Sequence, residues 1–199
     1  MKQLLFLGIA AILWCISCNE VAEIGTYTDK RDQKTYRTKV FLGKIWMIDN
    51  LNFETDTSWC YENNSKNCEQ YGRLYPWSQA MQACPEGWRL PTREEWMAFA
   101  TANAGELWYE VDGGEQRLYE KLIEGGESGF EFNLPGLYDP EADIWFGKEE
   151  IGSFWSSDKF AYHAADCAVL DKRNGEIFML NPGTRVVGHS CRCVKDIEN

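Results

Sequence analysis

The stretch His189-Ser190-Cys191-Arg192-Cys193, together with Cys167, gathers thiols and an imidazole near the end of the chain. Thiolate sulfur and imidazole nitrogen both suit zinc and copper, so metal chemistry is the first possibility to weigh. His163 stands four residues before Cys167 and could pair a base with a nucleophilic thiol. On a strand, however, the two would share a face while standing two residues removed, which favours a structural role. The acidic pairs Glu94-Glu95 and Glu149-Glu150 raise glycoside hydrolysis. That reaction needs carboxylates facing each other across a sugar, and neighbours in sequence do not provide it. There is no Gly-x-Ser-x-Gly elbow, phosphate-cradling glycine loop or calcium-loop pattern. No residue is therefore assigned a catalytic or metal role, and no cofactor is expected.

The elements that must position these groups come from a chain of 199 residues, 44% hydrophobic and 26% charged, enough for one domain plus a leader. Acidic residues outnumber basic ones 31 to 20, for a net charge of −11. So acidic a surface repels phosphate backbones, which excludes nucleic acid as a partner.

Met1-Lys2 followed by the apolar run Leu4 to Ile16 reads as a signal peptide, too short to span a bilayer. The run ends in Cys15-Ile16-Ser17-Cys18. This resembles the lipobox of bacterial lipoproteins: Ser17 fits the small position before the modified cysteine, while Cys15 departs from the usual leucine. The expectation is a signal peptide over 1–17, lipidation of Cys18, a polar tether over 18–33 and a domain over 34–197. The acyl chains on Cys18 would be the membrane attachment, because nothing later is apolar enough. Such a protein belongs to the bacterial cell envelope, at the outer membrane or cell surface.

Six further cysteines remain, Cys60, Cys68, Cys84, Cys167, Cys191 and Cys193. An even number in an exported chain reads as a disulfide framework, with 15 pairings open. Cys60 and Cys68 flank a short polar loop and are natural partners.

Alternation over Tyr36 to Leu42, then Gly43-Lys44, then Ile45 to Ile48, predicts a β-hairpin. Trp77, Ala80, Met81 and Cys84 recur at helical spacing after Pro76, which suits a first helical position. Thr92 with Glu95 forms a capping box ahead of Trp96, Phe99 and Ala100. A weaker helical turn runs over Gln116 to Ile123. Short strand-like runs follow at Phe154-Trp155-Ser156, Cys167 to Leu170, Ile177 to Leu180 and Cys191 to Val194. Strands, then helices, then antiparallel strands make an α+β order.

Gly72-Arg73-Leu74-Tyr75-Pro76-Trp77, Ala83-Cys84-Pro85-Glu86-Gly87-Trp88-Arg89-Leu90-Pro91-Thr92 and Glu95-Trp96 resemble the Fibrobacter succinogenes major paralogous domain. Asn50-Leu51-Asn52, Trp59-Cys60-Tyr61, Leu134-Pro135-Gly136, Phe154-Trp155-Ser156-Ser157 and Arg192-Cys193-Val194-Lys195-Asp196 extend the likeness over about 27–197. The family consists of exported or lipid-anchored bacterial proteins with no established activity. The Gly-Trp-Arg-Leu-Pro-Thr stretch is also similar to formylglycine-generating and C-type-lectin-like folds. This implies two helices beside a twisted antiparallel sheet with long loops. It implies pairing of Cys84 with Cys193 and of Cys60 with Cys68. Cys167 and Cys191 stand outside the pattern and are left to bridge each other. Formylglycine-generating enzymes hold copper through two thiols, but the spacing around Cys167 and Cys191 does not match. The Glu-Pro-Asn or Gln-Pro-Asp triplet of calcium-dependent lectins is absent as well.

What remains is surface. Trp108, Tyr109, Tyr138, Trp145 and Phe146 lie in Gly-, Asp- and Glu-rich segments that read as loops, where aromatic faces beside carboxylates suit stacking on sugar rings. Trp46, Trp77, Trp88, Trp96 and Trp155 are assigned to the core. The expected function is a non-catalytic, disulfide-stapled envelope lipoprotein that binds polysaccharide or a surface protein. The alternatives are a thiol- or metal-dependent oxidoreductase centred on Cys167, Cys191 and His189, or a purely structural component.

Overall fold

Leu42 and Gly43 take consecutive left-handed backbone angles, φ 49° and 70°, and reverse the chain between β2 (Thr35–Phe41) and β3 (Lys44–Met47). Two such residues in succession match the twist of the flanking strands. The turn thus falls one residue earlier than Gly43-Lys44. The computed structural model describes residues 24–197. The signal peptide, Cys18 and the first residues of the tether lie outside the described residues.

The rest of the expected tether is not a tether. β1 (Ile24–Thr28) pairs antiparallel with β2 from Ile24↔Lys39 to Thr28↔Thr35. Its one half-buried residue, Tyr27, packs against Trp88 at 5.0 Å, and so polar a strand carries almost no hydrophobic pattern to read. On the other side of β3 lies β9 (Val194–Asp196), giving a sheet of order β1-β2-β3-β9. β6 (Ile151–Ala161), β7 (Ala164–Asp171) and β8 (Glu176–Thr184) form a second antiparallel sheet, and β4 (Leu137–Asp139) with β5 (Ile144–Phe146) a small hairpin. The architecture is α+β.

Four helices are present among the described residues, against two expected. α1 (Ser65–Tyr71) occupies what reads as a polar loop; Asn64 caps it by accepting the Lys66 N–H. α2 (Trp77–Ala83) buries Trp77, Ala80 and Ala83, leaves Met81 exposed, and has Pro76 as its cap rather than its first residue. α3 (Arg93–Ala104) starts at the Thr92–Glu95 capping box and buries Trp96, Phe99 and Ala100. α4 (Gly114–Leu122) covers most of the weak helical turn.

Two cores are served by alternating residues of single strands, because successive side chains point to opposite faces. Trp46 and Phe154 join Trp96, Phe99, Phe130 and Phe132 on the α3–α4 side. Their neighbours Met47 and Trp155 join Tyr75, Trp77, Trp88 and Leu90 on the α2 side. All five tryptophans assigned to the core are buried.

Cys60–Cys68 and Cys84–Cys193 are bridged. Cys167 and Cys191 are not bridged to each other, and both are buried. Strand order explains this. Cys167 on β7 lies opposite Trp155 of β6, while the other side of β6 pairs Phe154 with Ser190. β6 therefore stands between the two thiols, and two strand steps put their backbones about 10 Å apart, beyond the ~7 Å a disulfide spans.

Candidate functional site

Gly136 fixes one side of the site. A Cβ there would meet Tyr61 Cε2 at 2.6 Å and the Phe146 carbonyl at 2.7 Å, so only glycine lets the chain pass between them. This close approach seats Tyr61, held in turn by the Cys60–Cys68 bridge and α1, against the base of the β4–β5 hairpin. Within the hairpin, Tyr138 lies opposite Trp145 in register. Their rings stack at 3.8 Å with an interplanar angle of 18°. Trp59 meets Tyr138 edge-on at 5.0 Å and Tyr61 meets Trp145 edge-on at 5.3 Å. Phe146, 39% exposed, lies next along β5.

Polar groups surround this pair. Tyr138 Oη donates to Asp143 Oδ1 at 2.9 Å in the turn, and the hydrogen bond to that carboxylate raises the phenol's ionisation. Asp139 accepts the backbone N–H groups of Glu141 and Ala142. Lys148 stands 5.4 Å from the Tyr61 ring centre. Beyond Lys148 opens a groove of about 380 Å³, lined by Tyr71, Tyr119, Phe132, Asn133 and Glu149 among others. Its Tyr71 Oη donates to Glu149 Oε1 at 2.8 Å, and burial, with Glu149, pushes the phenol up to about 12.

Of the five aromatics singled out in the sequence, Tyr138 and Trp145 come together, whereas Phe146, paired with Leu137, points to the other face of the hairpin. Trp108 does not join them: it is 3% exposed and packs in the core with Trp96 and Leu118. A tryptophan in an acidic loop reads as exposed, but here the loop folds back under α4. Tyr109 is 53% exposed and contacts Trp108, with no ring contact to the hairpin. Trp59 and Tyr61 were missed as site residues, although their flanking positions around Cys60 could have pointed to them.

Beneath the surface lie two buried polar centres. The guanidinium of Arg192 donates to Asn50 Oδ1 at 2.9 Å, the Phe130 carbonyl at 2.6 Å and the Glu131 carbonyl at 3.1 Å. It also covers the Phe132 ring at 3.7 Å. Asn50 donates onward to the Tyr71 carbonyl and Asn133 Oδ1. Burial pushes the Arg192 ionisation down, yet the bonds to carbonyls and an amide hold the charge in place without a contacting carboxylate. The second centre joins Ser153 Oγ to His189 Nδ1 at 2.6 Å, with Cys167 hydrogen-bonded to the same serine. Burial pushes the Cys167 thiol up to about 11, drives Cys191 well above its ordinary value, and lowers His189 to about 3. Neither thiol is thus a ready thiolate. His163 lies away from both, in the β6–β7 turn. Among the described residues no group of three His, Cys, Asp or Glu side chains is placed to hold a metal ion.

Residues 35–195 match the model of the Fibrobacter succinogenes major domain. The chain belongs to that family. The motifs that carry the resemblance are the ones that build its frame: Asn50 and Arg192 meet in the buried network, Gly136 seats the hairpin, and Cys84 and Cys193 tie α2 to β9. No curated protein and no solved structure matches this member of the Fibrobacter succinogenes major domain family.

Proposed function

We propose that this chain is a non-catalytic module of the bacterial cell envelope, lipid-anchored at Cys18, that binds polysaccharide on the β4–β5 face. The observation that carries the reading is the Tyr138–Trp145 stack, set in place by Trp59 and Tyr61 before any ligand arrives. Rings already fixed lose little conformational entropy on binding, and flat apolar faces ringed by carboxylates match the apolar faces and hydroxyl edges of sugars. Asp139, Glu141 and Asp143 supply those acceptors on the hairpin turn. Two disulfides fit an exported protein. No helix among the described residues is long and apolar enough to cross a membrane, so attachment falls to the acyl chains.

The C-type-lectin-like assignment belongs to the same proposal. It is supported by the last strand, β9, returning to pair with β3 of the N-terminal hairpin, by helices beside that sheet, and by a bridge from the end of α2 to the residue before β9. The oxidoreductase alternative finds no support in the thiols, which stand two strands apart with raised ionisation.

The test is co-sedimentation of the protein with insoluble envelope and plant-type polysaccharides, in parallel with capture on immobilised surface-protein fractions. Retention on a polysaccharide that is lost in Tyr138→Ala/Trp145→Ala supports the proposal. Retention only on protein, or retention unaffected by the double substitution, contradicts it.

A further inference from the structure

The four-stranded sheet has an apolar end. Ile24 is 55% exposed, Val40 49%, Leu42 50% and Ile197 43%. Singly such residues are ordinary on a surface, but register puts these four at one end of the sheet, rimming both of its faces: Ile24 shares the face of Lys39, whereas Val40 and Ile197 alternate to the other. Ile24 lies opposite Lys39, so it sits beside the end of β2 where Val40 and Leu42 emerge; Lys44 lies opposite Asp196, the residue before Ile197. The sheet is three strand steps wide here, about 15 Å.

From this same end the N-terminal segment departs. Ile24 stands six positions after Cys18, with five residues between them. Fully extended, that stretch reaches about 20 Å at most. We propose that this end of the sheet lies against the lipid surface, an inference that rests on lipidation of Cys18. With a net charge of −11 the molecule gains nothing from anionic headgroups, so apolar contact must seat it.

The opposite pole is the aromatic face, and one run of chain connects them. From Asp196, paired with Lys44, the last strand runs back past Cys193, whose carbonyl accepts the Met47 N–H, and Cys191, whose carbonyl accepts the Leu51 N–H. It continues past His189, bonded to Tyr75, and reaches Gly188, whose N–H donates to Tyr138. Residues 188 to 196 cover about 26 Å at strand rise. Seating the apolar end on the bilayer therefore holds Tyr138 and Trp145 outward, toward a ligand beyond the membrane.

The test uses the full lipidated protein in phosphatidylcholine vesicles, with nitroxide labels on Leu42→Cys, on Ile197→Cys and on Ile144→Cys in β5. Vesicle flotation, compared with Cys18→Ala, reports the anchor; label accessibility to oxygen and to a water-soluble nickel complex reports the orientation. The expected result is flotation that depends on Cys18, with an oxygen-to-nickel accessibility ratio several-fold higher at 42 and 197 than at 144. Flotation with equal ratios at all three labels overturns the orientation while leaving the anchor intact. Labels at 42 and 197 shielded from both reagents would show a second copy covering this end and overturn it too. Loss of flotation in the unsubstituted protein overturns the anchor, and the orientation with it.

Discussion

Ser153 Oγ and His189 Nδ1 are 2.6 Å apart at a fully buried site, and the His189 ring lies 4.1 Å from that of Trp155. The imidazole is thus held neutral, at about 3 against an ordinary 6.5, because burial disfavours its charge. The unfolded chain binds a proton below 6.5 that the folded chain refuses down to about 3. This stability is complete above pH 6.5 and is lost as pH falls toward 3. Between pH 7 and 5 the loss should be about 2 kcal/mol. Asp171 beside Arg173 and Asp196 beside Lys44 are held below the usual carboxylate range, so their contribution goes only at lower pH. Urea midpoints at pH 7 and 5 check this. His189→Gln should flatten the difference, and an unchanged slope would show that another group is responsible.

Thiol titration tests the cysteine arrangement. The denatured, unreduced protein over residues 19–199 should show two thiols mapping to Cys167 and Cys191, and the native protein almost none, since both are buried. Zero thiols after denaturation would mean a third bridge and would require β6 to leave its place between them.

The two bridges should differ in worth. Cys84–Cys193 spans 109 residues and Cys60–Cys68 spans 8. Chain-entropy arithmetic gives about 4.8 kcal/mol for the long loop and roughly 2.6 for the short one. Paired Cys→Ala substitutions measured by urea denaturation should keep that order. The short bridge should matter more for binding than for stability, because it helps hold Tyr61 against Trp145.

Arg192→Ala should cost about 3–5 kcal/mol, because it leaves Asn50 and two carbonyls unpaired around a cavity beside Phe132. A loss below 1 kcal/mol by the same measurement would show that water or neighbouring chain replaces the guanidinium.

Much of the frame was legible because local rules and packing agree. The Thr92–Glu95 capping box needs only four residues to announce α3, and alternation carries Trp46 and Trp155 to the core. β1 and α1 were hidden for the opposite reason: one half-buried tyrosine and an asparagine cap leave little periodic signal. Trp108 shows the limit of composition, since the acidic residues around it stay wet while its own ring turns inward. The Cys167–Cys191 error came from counting cysteines without strand order, which only the tertiary arrangement of β6 supplies. Likewise the aromatic pair was legible as residue types, whereas the support from Trp59 and Tyr61 depends on long-range contacts.

The most direct test of the central claim is calorimetric titration with soluble oligosaccharides of a polysaccharide that retains the protein, comparing Trp145→Ala with Tyr109→Ala. Both are aromatic residues of acidic loops, but only Trp145 belongs to the stacked face. The account predicts at least a tenfold loss of affinity for Trp145→Ala, about 1.4 kcal/mol or more, and an unchanged affinity for Tyr109→Ala. Full affinity in Trp145→Ala, or a loss confined to Tyr109→Ala, would contradict it.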